Sequence, residues 1–476
     1  MQNNLHPVWL IAKRELRDQF RDWRILFPLI VLTFVFPFLM NEVAFQAVAF
    51  ANRYGGNLIV DRLIPFSVLI IGFFPITISL VVALESFVGE KERGTIEPLL
   101  SSPMEDWQLY AGKLLVGIST PLFASFFSII LYLIMVSYQD LNMPSWPVIA
   151  QLFGLTAAHA ILMTSAAIVI SVQSTSVKAA NLLASFIVVP VAMLMQGETV
   201  MLFWGTDDVL WLAVLAVLVM SFLLVRLGIA HFNREYLLGR EIDAINIRLT
   251  LRKFWATFKG QATSALDWYR RVLRQAVAQL FIPFVIVLMM AIAGIWFAYD
   301  WTMNNVPVLL KQYSQEDISK FVSETDQLPN MNDLRAQLNV RNIFTHNVQA
   351  ILGILLAGLI SFSVLGLLVY LVNIGVIGGL LGVLQIVGMS PLLILSAGLL
   401  PHGIFEIPAL MLSAASVLRI GAVLVTPQLG KSMGDVLVDL LADWMKVFIG
   451  LVIPLLAAAA LVETYITPAI LLSVLK

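Results

Sequence analysis

The sequence predicts an all-α, polytopic integral membrane protein, with about 10 to 12 membrane helices in two bundles and a further N-terminal helix at the membrane surface. Of its 476 residues, 59% are hydrophobic and only 12% are charged, which is about half the charged share of a soluble domain. The apolar runs are mostly about 20 residues long, as in helical spans and unlike the alternating segments of a β-barrel. The chain has no cysteine, which excludes disulfides, thiolate metal sites and cysteine nucleophiles.

The first half of the chain predicts an interfacial helix followed by six spans. Residues 6–24 have an amphipathic pattern in which Trp9 and Phe20 lie on the apolar face and basic side chains occupy the remaining faces. The positive-inside rule places this helix, with its five Lys or Arg residues, in the cytoplasm. The six spans are predicted near residues 25–45, 63–88, 106–137, 147–171, 179–196 and 208–229.

A charged stretch at residues 86–102, with the sequence SFVGEKERGTIEPLLSS, lies between the second and third spans. Gly94 predicts a helix stop, and Thr95 is suited to cap a short helix after it. Ser102 and Glu105 have the spacing of a capping box that starts the next span. The pattern predicts a short, rigid, charged projection at the membrane surface, and a solvated loop is the alternative interpretation.

The segment GEKERGTIEPLLSSP within this stretch resembles the loop between spans two and three of ABC-2-type transporter permeases. In that family the loop forms the coupling helix, which docks into a groove on a separate ATPase subunit. The segment KRELRDQFRDWR is similar to the N-terminal interfacial helix of the same permeases. The resemblance implies that the ATPase-coupling residues are Phe87, Glu90, Lys91, Glu92, Arg93, Gly94, Thr95, Glu97, Leu99 and Leu100.

The same resemblance implies how the chain is energised and assembled. An ABC ATPase subunit is the expected partner, the chain binds no cofactor itself, and ATP and Mg are bound by that subunit. Since such a transporter needs two permease halves, the chain is expected to form a homodimer, or a heterodimer with another permease. The expected location is the cytoplasmic membrane of a prokaryote, with the N-terminus in the cytoplasm and no nucleic acid as a partner.

Polar residues interrupt the apolar region between the fifth and sixth spans. They include Glu198, Asp207 and Asp208. In ABC-2-type permeases this region carries short re-entrant helices, so the resemblance implies that these residues lie at the external mouth. A solvated loop is the alternative interpretation.

A basic segment separates the two halves of the chain. Residues 226–274 contain ten Lys or Arg residues with Trp and Tyr between them. Basic and aromatic residues can mark a nucleic-acid surface, but a position between spans favours a cytoplasmic linker on anionic lipid. We therefore predict a membrane domain at 1–230, a linker at 231–276 and a second membrane domain at 277–476.

The second domain is predicted to contain spans near 277–299, 347–372, 391–400 leading into 402–425, and 446–463, with a shorter helix at 374–388 and an external insertion at 300–345. Gly378 and Gly382 are spaced for close helix packing. No Lys or Arg lies between Arg341 and Arg419. Ionisable residues in this region are therefore few, and each of them needs a partner.

The sequence PHGIFEIPA at 401–409 places two ionisable residues inside an apolar run. His402 and Glu406 share a helix face, and an unpaired ionisable group is costly there. We expect an intramembrane polar cluster of His402, Glu406, Arg419 and Glu463. A structural network, proton or ion handling, and a metal-dependent enzyme all remain open, and we expect no metal, with His402 and Glu406 as the ligands if one binds.

LPHGIFEIPA also resembles the signature of the stage II sporulation protein M family, and LVETYITP at 461–468 resembles its C-terminal element. This likeness covers residues 277–476 and implies a role in envelope remodelling or in assembly with other membrane proteins. The sequence Gly430-Lys431-Ser432 imitates a phosphate-binding loop, but Val425 stands where the first glycine is required. We therefore expect no ATPase site in this chain.

The expected function is that of a permease subunit of an ATP-binding cassette transporter, an exporter driven by a separate ATPase subunit. The chain is not expected to be an enzyme. One alternative is an envelope-remodelling or assembly protein that acts through the C-terminal domain. Another is an intramembrane metal hydrolase.

Overall fold

The computed structural model describes residues 5–53, 57–139, 141–174, 177–204, 209–232, 247–312, 339–426 and 433–475. These residues are almost entirely helical and include no strand, which confirms the all-α class. Ten helices in these ranges are long and apolar enough to cross a membrane, within the predicted number. The chain divides into two compact units, made of the described residues in 1–244 with 425–427, and in 245–424 with 428–476.

The described helices of the first unit follow the predicted spans closely. In chain order they are α1 (His6–Gln19), α2 (Trp23–Ile30), α3 (Phe36–Arg53), α4 (Asn57–Glu92), α5 (Ile96–Leu100), α6 (Asp106–Tyr138), α7 (Trp146–Gln173), α8 (Val177–Trp204) and α9 (Val209–His231). A π-helical segment, Val31–Val35, joins α2 to α3. At the centre α4 packs against both α6 and α7, and α9 packs against α7.

The N-terminal helix is shorter than predicted, and it packs one of its faces against the protein. It ends at Gln19, and α2 begins at Trp23 because Asp22 accepts a hydrogen bond from the Arg24 N–H at 2.9 Å and caps the new helix. The predicted single helix over 6–24 is therefore wrong.

The side chains of α1 that are buried against the protein are Val8, Ile11 and Ala12. Trp9, predicted on the apolar face, is 62% exposed. The helix lies against α6 at Gly112, where a Cβ atom would stand 2.8 Å from the Ile11 Cβ. This close approach decides which face is buried, and Trp9 remains available for the headgroup region.

The described elements of the second unit are also helical. They are α10 (Ile247–Lys259), α11 (Ala265–Asp267), α12 (Arg274–Ala278), α13 (Phe281–Gln312), α14 (Val340–Ile360), α15 (Val364–Ile386), α16 (Pro391–Ile394), α17 (Leu400–Leu424), α18 (Met433–Val447), α19 (Ile453–Tyr465) and α20 (Thr467–Leu475). The π-helical segments Trp268–Leu273, Leu395–Leu399 and Phe448–Val452 join α11 to α12, α16 to α17 and α18 to α19. The predicted insertion at 300–345 begins as a continuation of α13 to Gln312, and 313–338 lies outside the described residues.

A chain reversal divides the predicted span 347–372, so that prediction is wrong. The predicted short helix at 374–388 is also wrong, because α15 runs from Val364 to Ile386. Phe362 and Ser363 have φ angles of 49° and 82°. Residues other than glycine seldom adopt this backbone conformation. Ser363 Oγ donates to the Val417 carbonyl and accepts from the Gly421 N–H at 3.0 Å, which offsets that cost. As a result α14 and α15 form an antiparallel pair.

The helices α13 and α15 make close contact at glycines, as the G-x-x-x-G spacing predicts. A Cβ atom on Gly382 would lie 2.7 Å from the Thr302 Cβ, and one on Gly378 would overlap the Ile295 backbone. Tyr370 OH donates to the Val287 carbonyl at 3.1 Å, so the same pair of helices is also joined by a buried hydrogen bond.

The basic segment after residue 246 is helical and belongs to the second unit, where α10 packs against α18. In α10, Lys253 Nζ lies 2.6 Å from Asp435 Oδ1 on α18. Arg271 forms an ion pair with Asp267, and its hydrogen bonds lower the pKa of the Asp267 carboxyl to about 2. Part of the predicted linker, 233–246, lies outside the described residues, and the domain limits at 230 and 277 stay a prediction.

Candidate functional site

The charged stretch ends one long helix and forms a second, very short one. α4 continues to Glu92, and Gly94, with φ of 68°, allows the chain to turn before α5. α6 begins at Asp106, because Glu105 and Gln108 exchange hydrogen bonds as a capping box. The predicted box at Ser102 and Glu105 is therefore wrong by three residues, while the predicted stop at Gly94 is confirmed.

The outer surface of the charged stretch is mostly polar. Its exposed residues include Glu92, Arg93, Gly94, Thr95, Glu97 and Pro98. Ile96 is buried and fixes α5 against the bundle. Leu99 and Leu100 lie in α5, but their side chains fall outside the described residues. The projection thus has an apolar base and a charged tip.

Phe87 is completely buried, which corrects the expectation that its side chain is a direct contact for an ATPase. Its ring packs against Phe232 with centroids 5.3 Å apart, and Lys113 Nζ lies 4.9 Å from the ring centroid. The Phe87 N–H also donates to Ser171 Oγ on α7 at 3.1 Å. Phe87 therefore fixes the end of α4 in the bundle.

A buried lysine joins three helices directly below the charged stretch. Lys113 Nζ on α6 lies 2.9 Å from Glu15 Oε1 on α1 and 3.3 Å from Glu90 Oε2 on α4. It also donates to the Ser86 carbonyl at 2.7 Å. Glu90 is thus held inside the first unit, not presented to a partner, which corrects the expectation for this residue. Lys113 was missed in the sequence, although a lone lysine in an apolar span is a signal of such a contact.

Lys91 and Glu92 attach the charged stretch to the connection between α7 and α8. Lys91 Nζ donates to the carbonyls of Val172 and Ser174 at 3.1 and 3.2 Å. Glu92 Oε1 accepts from the Val177 N–H at 2.8 Å. Movement of the charged stretch would therefore reach α8 as well as α4.

Glu198 does not lie in a loop, so the solvated-loop alternative is wrong for it, and its place at an external mouth stays a prediction. α8 continues through this residue to Trp204, and the Glu198 Oε1 atom is 3.3 Å from His159 Nε2 on α7. The two side chains are each 3% exposed, and His159 was missed in the sequence. Asp207 and Asp208 lie outside the described residues.

Beside this pair is a cavity of about 300 Å³ between α4, α7 and α8. Its lining is mostly apolar and includes Phe66, Phe73 and Met163, with Thr77, Gln196 and Thr199 as polar residues. The Phe73 ring meets the His159 ring edge to face, with centroids 5.9 Å apart.

In the second unit three of the four predicted cluster residues come together. His402 and Glu406 are one turn apart at the start of α17, and Glu463 is near the end of α19. One donor atom of each lies within 4.8 Å of the other two. Thr467 Oγ1 lies 3.2 Å from His402 Nδ1 and holds the ring in place.

Arg419 is not part of this group, which corrects the fourth expectation. Thirteen residues of helix, about 20 Å, separate it from Glu406. Its guanidinium instead pairs with Asp443 Oδ2 at 3.0 Å and donates to Gln279. Lys446 Nζ lies 2.7 Å from the other oxygen of Asp443. This ion network is a separate feature of the second unit.

The three clustered residues face a cavity of about 540 Å³. Four further polar side chains that line it were not identified from the sequence: Asn342, His346, Asn347 and Asn373. They lie at the start of α14 and in the middle of α15. An imidazole and two carboxylates around a cavity with further polar groups in its lining are suited to hold a cation.

Two family models match this chain. Residues 9–206 match the family described as ABC-2 family transporter protein, and residues 283–468 match the family described as Stage II sporulation protein M. The order of these two matches agrees with the two resemblances predicted from the sequence.

Two relatives are similar to parts of the chain. An uncharacterized protein of Methanocaldococcus jannaschii is 30% identical over 189 residues, which cover 40% of this chain and 96% of the relative. The probable ABC transporter permease protein NosY of Pseudomonas aeruginosa is 32% identical over 109 residues, which cover 23% of this chain and 38% of that permease. The chain thus matches less than half the length of this second relative.

Proposed function

Because residues 9–206 belong to the ABC-2 family of transporter proteins and residues 283–468 to the stage II sporulation protein M family, we propose that the chain is an exporter permease driven by a separate ATPase subunit. The chain is a multi-pass membrane protein with a transporter permease domain. ABC permeases in general work with an ATPase subunit. The proposal adds the direction of transport and the surface through which the two subunits meet.

The observation that carries the proposal is the projection formed by the charged stretch. Its exposed tip carries Glu92 at the end of α4, Arg93 in the turn and Glu97 on the short helix α5, while its base is fixed by buried side chains. A solvated loop would need no such base. Rigid attachment is what a surface that receives force requires, because a flexible loop would absorb the displacement.

The contacts below the tip supply three routes for that displacement. The first is α4 itself, which runs without interruption into the charged stretch. The second is the Glu92 contact to the Val177 N–H at the start of α8. The third is Lys113, which joins Glu90 to α6 and, through Glu15, to α1. Binding or release of the ATPase would thus tilt several spans together.

The side of the membrane that the charged stretch faces decides where the ATPase subunit binds. The N-terminus and the charged stretch face the cytoplasm of a prokaryotic cell, since their Lys and Arg residues favour that side. ATP and Mg are bound by the ATPase subunit, and this chain supplies no catalytic residue. Two copies of the chain, or one copy and a related permease, complete the transporter.

The test is to reverse the exposed charges of the tip with the variant Arg93→Glu/Glu97→Lys. The full chain is purified with its co-purifying ATPase, and ATP hydrolysis and the amount of bound ATPase are measured in vesicles. We expect at least one of these to fall by about tenfold, because reversed rim charges cost roughly 1 to 2 kcal/mol of association free energy.

Asp61→Lys is the matched control, since Asp61 is an exposed carboxylate near the opposite end of the same helix, where it accepts from Asn142 Nδ2. This variant should keep full ATPase binding and stimulation. Normal coupling in the Arg93→Glu/Glu97→Lys variant would contradict the assigned surface. Failure of any ATPase to co-purify with the unmodified chain, together with a stable envelope-protein partner, would favour the assembly function instead.

A further inference from the structure

We propose that the second unit binds one divalent first-row transition-metal cation, such as Zn²⁺ or Mn²⁺, at His402, Glu406 and Glu463. This inference concerns a different unit from the charged stretch and does not rest on the proposed transport function. It is carried by the distances among three donor atoms, by the charge they bring together and by the cavity that they face.

The geometry is close to that of a bound ion. The donor atoms of the three side chains lie within 4.8 Å of one another. A cation with ligand distances of about 2.1 Å holds tetrahedral ligands about 3.4 Å apart. If the two Glu side chains rotate, their oxygens move by about 1 Å. This rotation would complete the site without a change in the helices.

The charge at this position also calls for a cation. Glu406 and Glu463 bring two carboxyl groups into one cavity inside the span region. Among the described residues that line the cavity there is no lysine or arginine, and Arg419 is committed to Asp443. Two carboxylates at this distance repel each other in a low dielectric, and a shared cation removes that repulsion.

His402 provides the feature that distinguishes this site from a group of acidic residues. Its side chain is more than nine-tenths buried, it lines the cavity, and Thr467 holds its ring. Metal-bound histidines are commonly held in this way by a second partner. A buried imidazole between two carboxylates favours first-row transition metals over Mg²⁺ and Ca²⁺, which prefer oxygen ligands alone.

The cavity leaves room for the remaining ligands. At about 540 Å³ it can hold several water molecules, each of which occupies about 30 Å³ in the liquid. Asn347 and Asn373 add amide oxygens to its lining. Three protein ligands with open positions are typical of sites that exchange ligands, whereas structural zinc sites use four.

The backbone next to the ligands is irregular in a way that suits such a site. The π-helical segment Leu395–Leu399 ends three residues before His402, and Pro408 follows Glu406 inside α17. Another π-helical segment, Phe448–Val452, lies before α19, the helix that carries Glu463. Such interruptions are frequent at functional sites, where they reorient side chains.

The experiment uses the purified full-length chain in detergent, freed of metal with a chelator and titrated with Zn²⁺ and, separately, Mn²⁺. We expect one equivalent to bind per chain, as measured by calorimetry and by elemental analysis after gel filtration. The Glu406→Gln/Glu463→Gln variant should lose affinity by roughly 100-fold or more, since even an outer partner of a metal ligand is worth about 10- to 100-fold.

The matched control is Asp300→Asn, which removes an exposed carboxylate in the same unit but outside the cavity. It should bind Zn²⁺ as the unmodified chain does. Should the double variant fail to fold, His402→Asn takes its place, with Co²⁺ absorption bands as a second measurement of a nitrogen ligand. Equal affinity in a folded ligand variant, no binding by the unmodified chain, or displacement of Zn²⁺ by a 100-fold excess of Mg²⁺ would each overturn the proposal.

Discussion

Each unit of this chain places a histidine beside a glutamate between its helices, yet the two groups differ in what surrounds them. His159 and Glu198 are sealed by α7 and α8, with side chains 3% exposed. His402 joins two glutamates that line a cavity of about 540 Å³. A sealed pair must satisfy its own polar atoms, whereas an open group can take a ligand or water.

The sealed pair has little beyond its own contact. The His159 Nδ1 atom lies 3.0 Å from the Leu155 carbonyl, to which an Nδ1–H donates. In that tautomer Nε2 is left for Glu198, and neither Nε2 nor the Glu198 oxygens have another hydrogen-bond partner in the part of the chain that the structure describes. One proton shared between the two groups would pair both. The difference predicts that the sealed pair serves stability and the open group serves binding.

The largest expected effect comes from breaking the sealed pair with His159→Leu. Glu198 would then be buried with no partner, and removal of one member of a buried pair costs about 3 kcal/mol or more in the free energy of unfolding. Denaturant-induced unfolding of the detergent-solubilised chain, followed by tryptophan fluorescence, measures this loss.

The control for this prediction is the double variant His159→Leu/Glu198→Leu, in which apolar side chains replace both groups. Replacement of a whole buried pair by well-packed apolar residues is often nearly neutral, so the double variant should lie within about 1 kcal/mol of the unmodified chain. If the double variant is as unstable as the single one, packing and not pairing explains the loss.

An intermediate effect is expected at Lys113, whose partners reach solvent in part. The Lys113 side chain is 1% exposed, but those of Glu15 and Glu90 are 18% and 13% exposed. In Lys113→Met the two carboxylates keep some hydration, so we expect a loss of about 2 kcal/mol, smaller than for His159→Leu. The same unfolding measurement tests it, with Lys13→Met on the exposed face of α1 as the control. A loss larger than that of His159→Leu would contradict the trend with exposure.

The fold could be predicted from the sequence where one signal decided the structure. Long apolar runs fixed the all-α membrane class, and Gly94 fixed the end of α4, because only glycine adopts its φ angle freely. The two family resemblances, carried by short segments, agree with the family matches. Local composition was sufficient in each of these cases.

The sequence was insufficient wherever a distant contact decided the structure. The reversal at Phe362 and Ser363 depends on hydrogen bonds from Ser363 to α17, which hydrophobic periodicity does not record. Glu198 looked like a loop residue because its partner, His159, lies on another helix. Arg419 shares an apolar run with Glu406 but pairs with Asp443.

The candidate sites divide in the same way. The extent of the charged stretch followed from its own residues, but which of its side chains face outward did not. Phe87 and Glu90 point into the bundle because Phe232 and Lys113 lie there. The proximity of His402 and Glu463 was expected from two short segments, whereas the asparagines of the cavity come from helices whose boundaries were predicted wrongly.

The smallest effect on stability is expected at the open group, with Glu463→Gln in the metal-free protein. Glutamine has nearly the same shape, the cavity supplies water to its amide, and the repulsion between two carboxylates is lost. The free energy of unfolding should therefore change by less than about 0.5 kcal/mol, a typical value for substitutions at hydrated sites. With Zn²⁺ at about 100 times its dissociation constant for the unmodified chain, that chain should gain about 2.7 kcal/mol, whereas a variant with about 100-fold weaker affinity should gain only about 0.4 kcal/mol. A large loss for Glu463→Gln without metal would mean that this group, like the sealed pair, serves to hold helices together.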